Sequence, residues 1–329
     1  MQQARIGAML TSIPCQNILG ENVLWHAAEQ AIYWVDIEGC LLQRYQWDTA
    51  ELTRFTLPQR MGSFGFLAPA SMQRLAQLSA PNTAQPAELS SVHSYSLIAA
   101  FADGFALYHP PTQAIQWLAQ PELGLPGSRF NDGRVSRQGE FFAGTMQEWS
   151  AEQLAQANLP ENSAALYRLL PSGEAQSILN ELRISNGLCW SLDGQRLYHA
   201  DSPCHQIKEY VFDATKGAVS AGRVFAETPE NAYPDGSTVD AAGYLWNAHW
   251  GAGQVVRYRP NGDVDLVLSM PVSQPSSVAI GGPRLDLLFV TSSRLGLSVA
   301  QLAEQPLAGN LFIYQLHGIQ GVVENLCTF

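Results

Sequence analysis

The chain is poor in charge. Asp, Glu, Lys and Arg make up only 14% of its 329 residues, and its 18 basic residues form no cluster. With a formal net charge of −11, it should repel the phosphates of nucleic acid and of anionic lipid surfaces. Long apolar runs are missing as well. None approaches the roughly 20 residues that span a bilayer, and the opening MQQARIGAML has no basic segment followed by a long apolar one. The five cysteines (Cys15, Cys40, Cys189, Cys204 and Cys327) show no CxxC spacing, and their odd number argues against a disulfide framework. These absences predict a cytoplasmic protein with reduced thiols and no nucleic acid or membrane partner. Several catalytic signatures are absent too: there is no GxSxG nucleophile motif, no HExxH and no Walker loop.

Helical periodicity is scarce. The longest helical candidate, Ser150 to Asn158, lies between two strand-like runs and reads as a helix within a loop. What the chain does have is 46% hydrophobic residues, enough for a large core, and 27 Gly with 19 Pro to supply many turns. Short apolar runs recur: AIYWVD, SLIAAF, EFFAGT, RLYHAD, YLWNAH and LLFVTS. Their third residues are Tyr33, Ile98, Phe142, Tyr198, Trp246 and Phe289, spaced by 65, 44, 56, 48 and 43 residues. Periods of that size, with a further strand before and after each run, predict an all-β, six-bladed propeller occupying residues 1–329 as a single domain. The long first step reflects a polar, Pro-bearing insertion in blade 2 at about residues 71–95. It joins a first to a second strand, so it is expected at the end opposite the ligand. The turns at Gly144 to Ala164 and Ser292 to Gly309 are expected at the ligand end.

The repeat also aligns polar residues. Glu21, Asn131, Asn186, Asp235 and Ser277 all precede their markers by 11 or 12 residues, at the entry to each first strand. In a closed propeller they point toward one end of the axis. Asn-Gly and Asp-Gly are common turn formers, but one phase shared across blades favours a common site. Glu21, Asn186 and Asp235 offer two carboxylates and an amide oxygen, a hard-oxygen set suited to one divalent ion, whether Ca, Zn, Mg or Mn. Such an ion, with an incomplete protein shell, polarises a carbonyl and acidifies water, and ester or lactone hydrolysis is its natural use. Arg129 lies two residues before Asn131, so both face the channel and could hold substrate hydroxyls or an oxyanion. Asp132 falls on the other face, which suggests a turn role. The histidines lack metal-ligand spacing, and Trp25, Trp34, Trp190 and Trp246 are core candidates.

Across these residues the chain resembles the senescence marker protein (regucalcin), gluconolactonase and luciferin-regenerating enzyme family. The resemblance is carried by LGENVLW, RFNDGRVSRQGEFFAGTM, ISNGLCWSLDGQRLYHADS, YPDGSTVDAAGYLWNAHWGAGQVVRY and QPSSVAIGGPRLDLLFVTSS, and it runs from about Ile18 to Tyr314. It implies a six-bladed propeller with one divalent ion at Glu21, Asn186 and Asp235, and Asp235 doubling as general base. It also implies that Arg129 and Asn131 orient a sugar lactone. Two positions depart from the family pattern. Asn22 replaces a frequent Gly. After GTM, where regucalcin-like members carry two acids, this chain has Gln147, Glu148 and Trp149, so Trp149 stands where the second acid would contact substrate. Glu148 and Trp149 join the expected substrate-binding set.

The expected activity is hydrolysis of an aldonolactone to its aldonic acid, with a small sugar lactone as ligand and a monomer or weak homodimer as the assembly. Two rivals are a broad esterase or organophosphate hydrolase on the same ion, and a calcium-binding regulatory protein without turnover. The second would have no need of Arg129 and Asn131.

Overall fold

Short strands of this kind cannot bury their apolar faces alone, so they stack as blades. The computed structural model describes residues 5–73, 96–156, 158, 160–220 and 222–329. It contains six antiparallel sheets, four of them meanders of four consecutive strands. The first blade consists of Gly20–His26, Ala31–Asp36, Leu41–Gln46 and Leu52–Thr56. The next four blades span residues 61–119, 128–182, 185–227 and 233–269. The sixth takes Pro275–Gly281, Leu287–Ser292 and Leu311–His317 from one part of the sequence and its outer strand, Arg5–Ile13, from the other. The first strand of every blade contacts the first strands of both neighbours, from blade 1 round to blade 6 and back. Six sheets around one axis, sealed by the N-terminal strand, form a six-bladed β-propeller. All six marker residues fall on second strands, as the spacing predicts.

The core lies between blades. Trp34 and Trp246 are fully buried, and Trp25 and Trp190 are nearly so. Each such side chain removes enough apolar surface to contribute on the order of 2 kcal/mol or more. Aromatic rings meet edge to face across the blade seams, as Phe64 does with Tyr33 and Phe142 with Trp190.

The first strands begin earlier than the sequence suggests, and each is irregular at the same place. In blade 3 the strand is Ser128–Val135, with Phe130 opposite Thr145 and Gly133 opposite Ala143, so two residues face one on the partner. The same extra residue interrupts register after Glu21, Met61, Asn186, Pro234 and Pro275. A β-bulge of this kind bends the strand and re-aims its side chains. Asn186-Gly187 is therefore a bulge rather than a turn before the strand. Gly187 has φ of +63°, and a Cβ there would lie 3.2 Å from the Asp235 carbonyl oxygen. Asn22, with φ of +47°, holds the matching position in blade 1. Asparagine tolerates that conformation, and its side chain joins three blades by donating to Gly133 O (3.0 Å) and accepting from Phe64 N (2.9 Å).

The two ends of the axis differ. At one end, residues 318–329 cross the channel mouth: Glu324 pairs with Arg134 (2.7 Å), Cys327 N donates to Phe66 O (2.7 Å) and Thr328 N to Gly139 O (2.8 Å). The insertion leaves and rejoins blade 2 at this closed end, where Leu67 bridges to Cys327. Ser71 to Gln73 continue a helical turn there, and the rest of the insertion, residues 74–95, lies outside the described residues. At the other end are the loops that carry the helices Ala151–Gln156 and Val299–Glu304, the second capped by Ser298 and Gln301. No helix among the described residues is long and apolar enough to cross a membrane.

Candidate active site

The open end leads into a cavity of about 310 Å³ whose lining includes Glu21, Arg129, Asn131, Asn186, Ser202 and Asp235. The bulges bring these residues together, since Glu21, Asn131, Asn186 and Asp235 come from the first strands of blades 1, 3, 4 and 5. A larger hollow, about 620 Å³, opens near Asp240, Arg257 and Asp286, but charges there are already paired: Arg257 with Asp240 and Asp265, and Asp286 with Arg284.

Neighbouring groups fix the polar side chains in a chain of hydrogen bonds that crosses blades. Arg129 Nη1 donates to Asn131 Oδ1 (2.9 Å), and Asn131 Nδ2 donates to Asn186 Oδ1 (2.9 Å) and Ser185 O (3.1 Å). Asn186 Nδ2 donates to Ser202 Oγ (2.8 Å), and that hydroxyl donates to Pro234 O (2.8 Å), next to Asp235. Arg129 is held from the other side by Glu148, which accepts from its Nε (2.7 Å) and from both Nη groups of Arg60 (2.5 and 3.0 Å). Among the described residues nothing accepts from Arg129 Nη2, which is left for a ligand.

Buried acids dominate the floor. Removal from water pushes the Glu21 and Asp235 carboxyls well above the usual range, reinforced for Asp235 by the negative charge of Glu21 and for both by that of Asp132. Asp132 itself is pushed up to about 6, chiefly by burial. It does not turn away from the channel as simple strand alternation predicts. The bulge lets consecutive residues Asn131 and Asp132 both act on it, and Asp132 Oδ2 accepts from Leu188 N (2.8 Å). Burial also pulls the Arg129 guanidinium below its ordinary range, against the opposing pull of Glu148.

Two carboxylates forced together in a low-dielectric channel call for a cation. Arg129 is already engaged with Glu148, and Arg134 with Glu324. Among the described residues no three His, Cys, Asp or Glu side chains converge as a ligand cluster, so a third protein donor must be a neutral oxygen. Asn186 supplies one, its amide oriented by Asn131 and Ser202. This donor set fits a hard divalent ion.

The remaining sequence candidates sit elsewhere. Trp149 packs on Gly127, where an added Cβ would lie 2.5 Å from the indole, and it is not part of the cavity lining. Glu148 acts on Arg129 from the rim. Ser277 packs against Gly236 beside Asp235. Three of the histidines pack on neighbouring groups: His199 pairs with Ser185 Oγ (2.8 Å), His249 with Tyr258 Oη (2.9 Å), and the His205 ring lies against that of Tyr233. His249 lies within the strand Leu245–Trp250. Ser202 escaped sequence reasoning, because only the fold brings its hydroxyl under Asn186. All five cysteines are free thiols.

Comparison with known proteins follows the same lines. Residues 19–294 match the family model described as the SMP-30/Gluconolactonase/LRE-like region. The chain is 31% identical to a 6-deoxy-6-sulfogluconolactonase of Pseudomonas putida, over 94% of this chain and 95% of that one. It is 34% identical to an L-arabinolactonase of Azospirillum brasilense, over 96% and 94% respectively. A solved calcium-binding protein, regucalcin from Agrobacterium tumefaciens, superposes with a TM-score of 0.81 at 25% identity, covering 98% of this chain and 97% of that one.

Proposed function

Because this chain belongs to the SMP-30/gluconolactonase/LRE-like family, we propose that it is a divalent-ion-dependent lactonase opening an aldonolactone to the aldonic acid. The observation that carries this reading is the convergence of Glu21, Asn186 and Asp235 on one cavity that also holds Arg129 and Asn131. Glu21, Asn186 and Asp235 would hold the ion. Bound there, a divalent ion polarises an ester carbonyl and makes water a better nucleophile near neutral pH.

The chain's own residues do the rest. Arg129 Nη2 and the Asn131 amide orient the substrate by its hydroxyls and fix the lactone carbonyl over the floor. Asp235 takes the proton of the attacking water while the water oxygen bonds to the carbonyl carbon. The ring C–O bond then breaks, and the departing oxygen takes up the proton held by Asp235 to become a hydroxyl. Glu148 keeps Arg129 extended toward the substrate. Five free thiols support a reducing, cytoplasmic setting.

The test is acid release from a panel of pentono- and hexonolactones by chelator-stripped protein, with and without added Ca, Mg, Mn and Zn. Hydrolysis restored by a metal is the expected result. Ion binding with no turnover on any lactone would replace this reading with that of a regulatory calcium-binding protein.

A further inference from the structure

Two residues outward from each polar floor residue, the same strand face presents a second ring. Glu21, Asn131, Asn186 and Asp235 are preceded at that spacing by Leu19, Arg129, Ile184 and Tyr233, all of which line the cavity. The ring thus has one cation and three apolar or aromatic members. Second strands extend it, because Met146 lies opposite Arg129 and bridges to Ile184, while Trp250 lies opposite Tyr233. Blade 6 adds Leu295, which is 41% exposed at the mouth.

The two halves of the rim therefore differ in chemistry. The blade 3 side offers Arg129 Nη2 and the Asn131 amide. The rest of the rim, from blades 4, 5, 6 and 1, is built of Ile184, Tyr233, Trp250, Leu295 and Leu19, with Met146 of blade 3 joining it beside Ile184. A δ-lactone has the same asymmetry. Its ring hydroxyls lie on one arc from the carbonyl, and its exocyclic carbon lies on the other, beside the ring oxygen. With the hydroxyl arc toward Arg129 and the carbonyl over Glu21 and Asp235, the exocyclic carbon meets the apolar arc. An anionic group on that carbon would meet no cation, since Arg129 is on the blade 3 side and tied to Glu148, and a hydroxyl would have only the Tyr233 hydroxyl and the Trp250 indole N–H as partners among apolar side chains. A methyl group would bury apolar surface.

We propose that the substrate is a lactone with an apolar exocyclic substituent, a 6-deoxy or 6-alkyl sugar lactone, selected by the apolar arc of the cavity. The inference rests on the lactonase reading and narrows it.

The test uses three δ-lactones of one ring configuration, bearing methyl, hydroxymethyl or sulfonatomethyl at the exocyclic position, assayed with metal-loaded protein. Binding of the corresponding cyclic ethers, which cannot be hydrolysed, is measured by calorimetry in parallel. The expected result is a kcat/KM for the methyl lactone about tenfold or more above the other two, with the same order in ether binding. Leu295→Asn, in an exposed loop, and Ile184→Asn should each move the ratio toward the hydroxymethyl lactone. Equal or faster turnover of the hydroxymethyl or sulfonatomethyl lactone overturns the inference and leaves the lactonase reading intact. Absence of turnover on all three overturns the inference if other lactones of the pentono- and hexonolactone panel are hydrolysed, and overturns the lactonase reading together with the inference if none is.

Discussion

Ser202 settles which way the Asn186 side chain faces. Its hydroxyl accepts from Asn186 Nδ2 at 2.8 Å and passes its own hydrogen to Pro234 O, so the amide oxygen is turned toward the floor of the channel. Ser202→Ala removes that acceptor without touching any charged group. Outer partners of metal ligands typically govern affinity by 10- to 100-fold, and we expect ion affinity to fall by roughly tenfold in calorimetry on stripped protein. Ser202→Thr, which keeps the hydroxyl, should restore it, whereas a role in packing alone would leave affinity unchanged in both variants.

Asp235→Asn should keep the fold, because the amide preserves shape. As a lost general base it should lower turnover by about two orders of magnitude or more. Steady-state rates at saturating metal measure this, and undiminished turnover would remove Asp235 from its catalytic role. Asn186→Ala should behave differently, with activity recovering as metal is raised.

Glu148→Gln weakens the clamp on two arginines at once. Arg129 loses an acceptor charge at 2.7 Å and Arg60 a two-point partner. If Arg129 orients substrate, KM should rise several-fold while kcat changes less, since positioning of the bound substrate is what suffers. A drop in kcat at unchanged KM would assign Glu148 to the chemical step instead.

Acid should destabilise the fold through its buried imidazoles. Burial lowers His199 to about 3 and His249 to about 4, below the roughly 6.5 of an exposed histidine. As pH falls below about 6.5 the unfolded chain takes up protons that the folded chain refuses, so stability is lost progressively until the folded values are reached. His199→Gln, which can still pair with Ser185, should lessen the loss between pH 7 and pH 5 by about 2 kcal/mol relative to the parent in urea denaturation. The comparison isolates the imidazole from Glu21 and Asp235, whose raised carboxyls work in the opposite direction. Identical pH slopes in parent and variant would show that His199 takes up its proton in the fold as readily as in the unfolded chain.

Much of this was legible in the sequence because propellers repeat. The marker strands and the floor residues Glu21, Asn131, Asn186 and Asp235 share a period and a phase, and both survive in the structure. Asp132 was misread because alternation was counted through an irregular strand, and one extra residue resets which face follows. The sequence Asn-Asp-Gly, with its freedom to bulge, held that signal. Ser202 and Arg60 left no trace along the chain. Ser202 reaches Asn186 from the turn after the second strand, and Arg60 reaches Glu148 across 88 positions of sequence, so only the closed ring reveals them. Trp149 occupies a position that family resemblance assigns to substrate, yet its ring is spent on Gly127.

The outer strand of the last blade is made before the three strands it joins. Arg5–Ile13 has no partner until Leu311–His317 has been synthesised, and Glu21 faces Asp235 only after five blades exist. During translation the growing chain therefore exposes open sheet edges, the kind of surface that chaperones cover and that aggregates if left bare. On the proposed ion site, ion capture would have to wait as well, since Glu21, Asn186 and Asp235 are distributed from the first blade to the fifth. A chain interrupted before the ring closes would be without activity and without protection, so quality control can remove it without ever meeting a half-working enzyme.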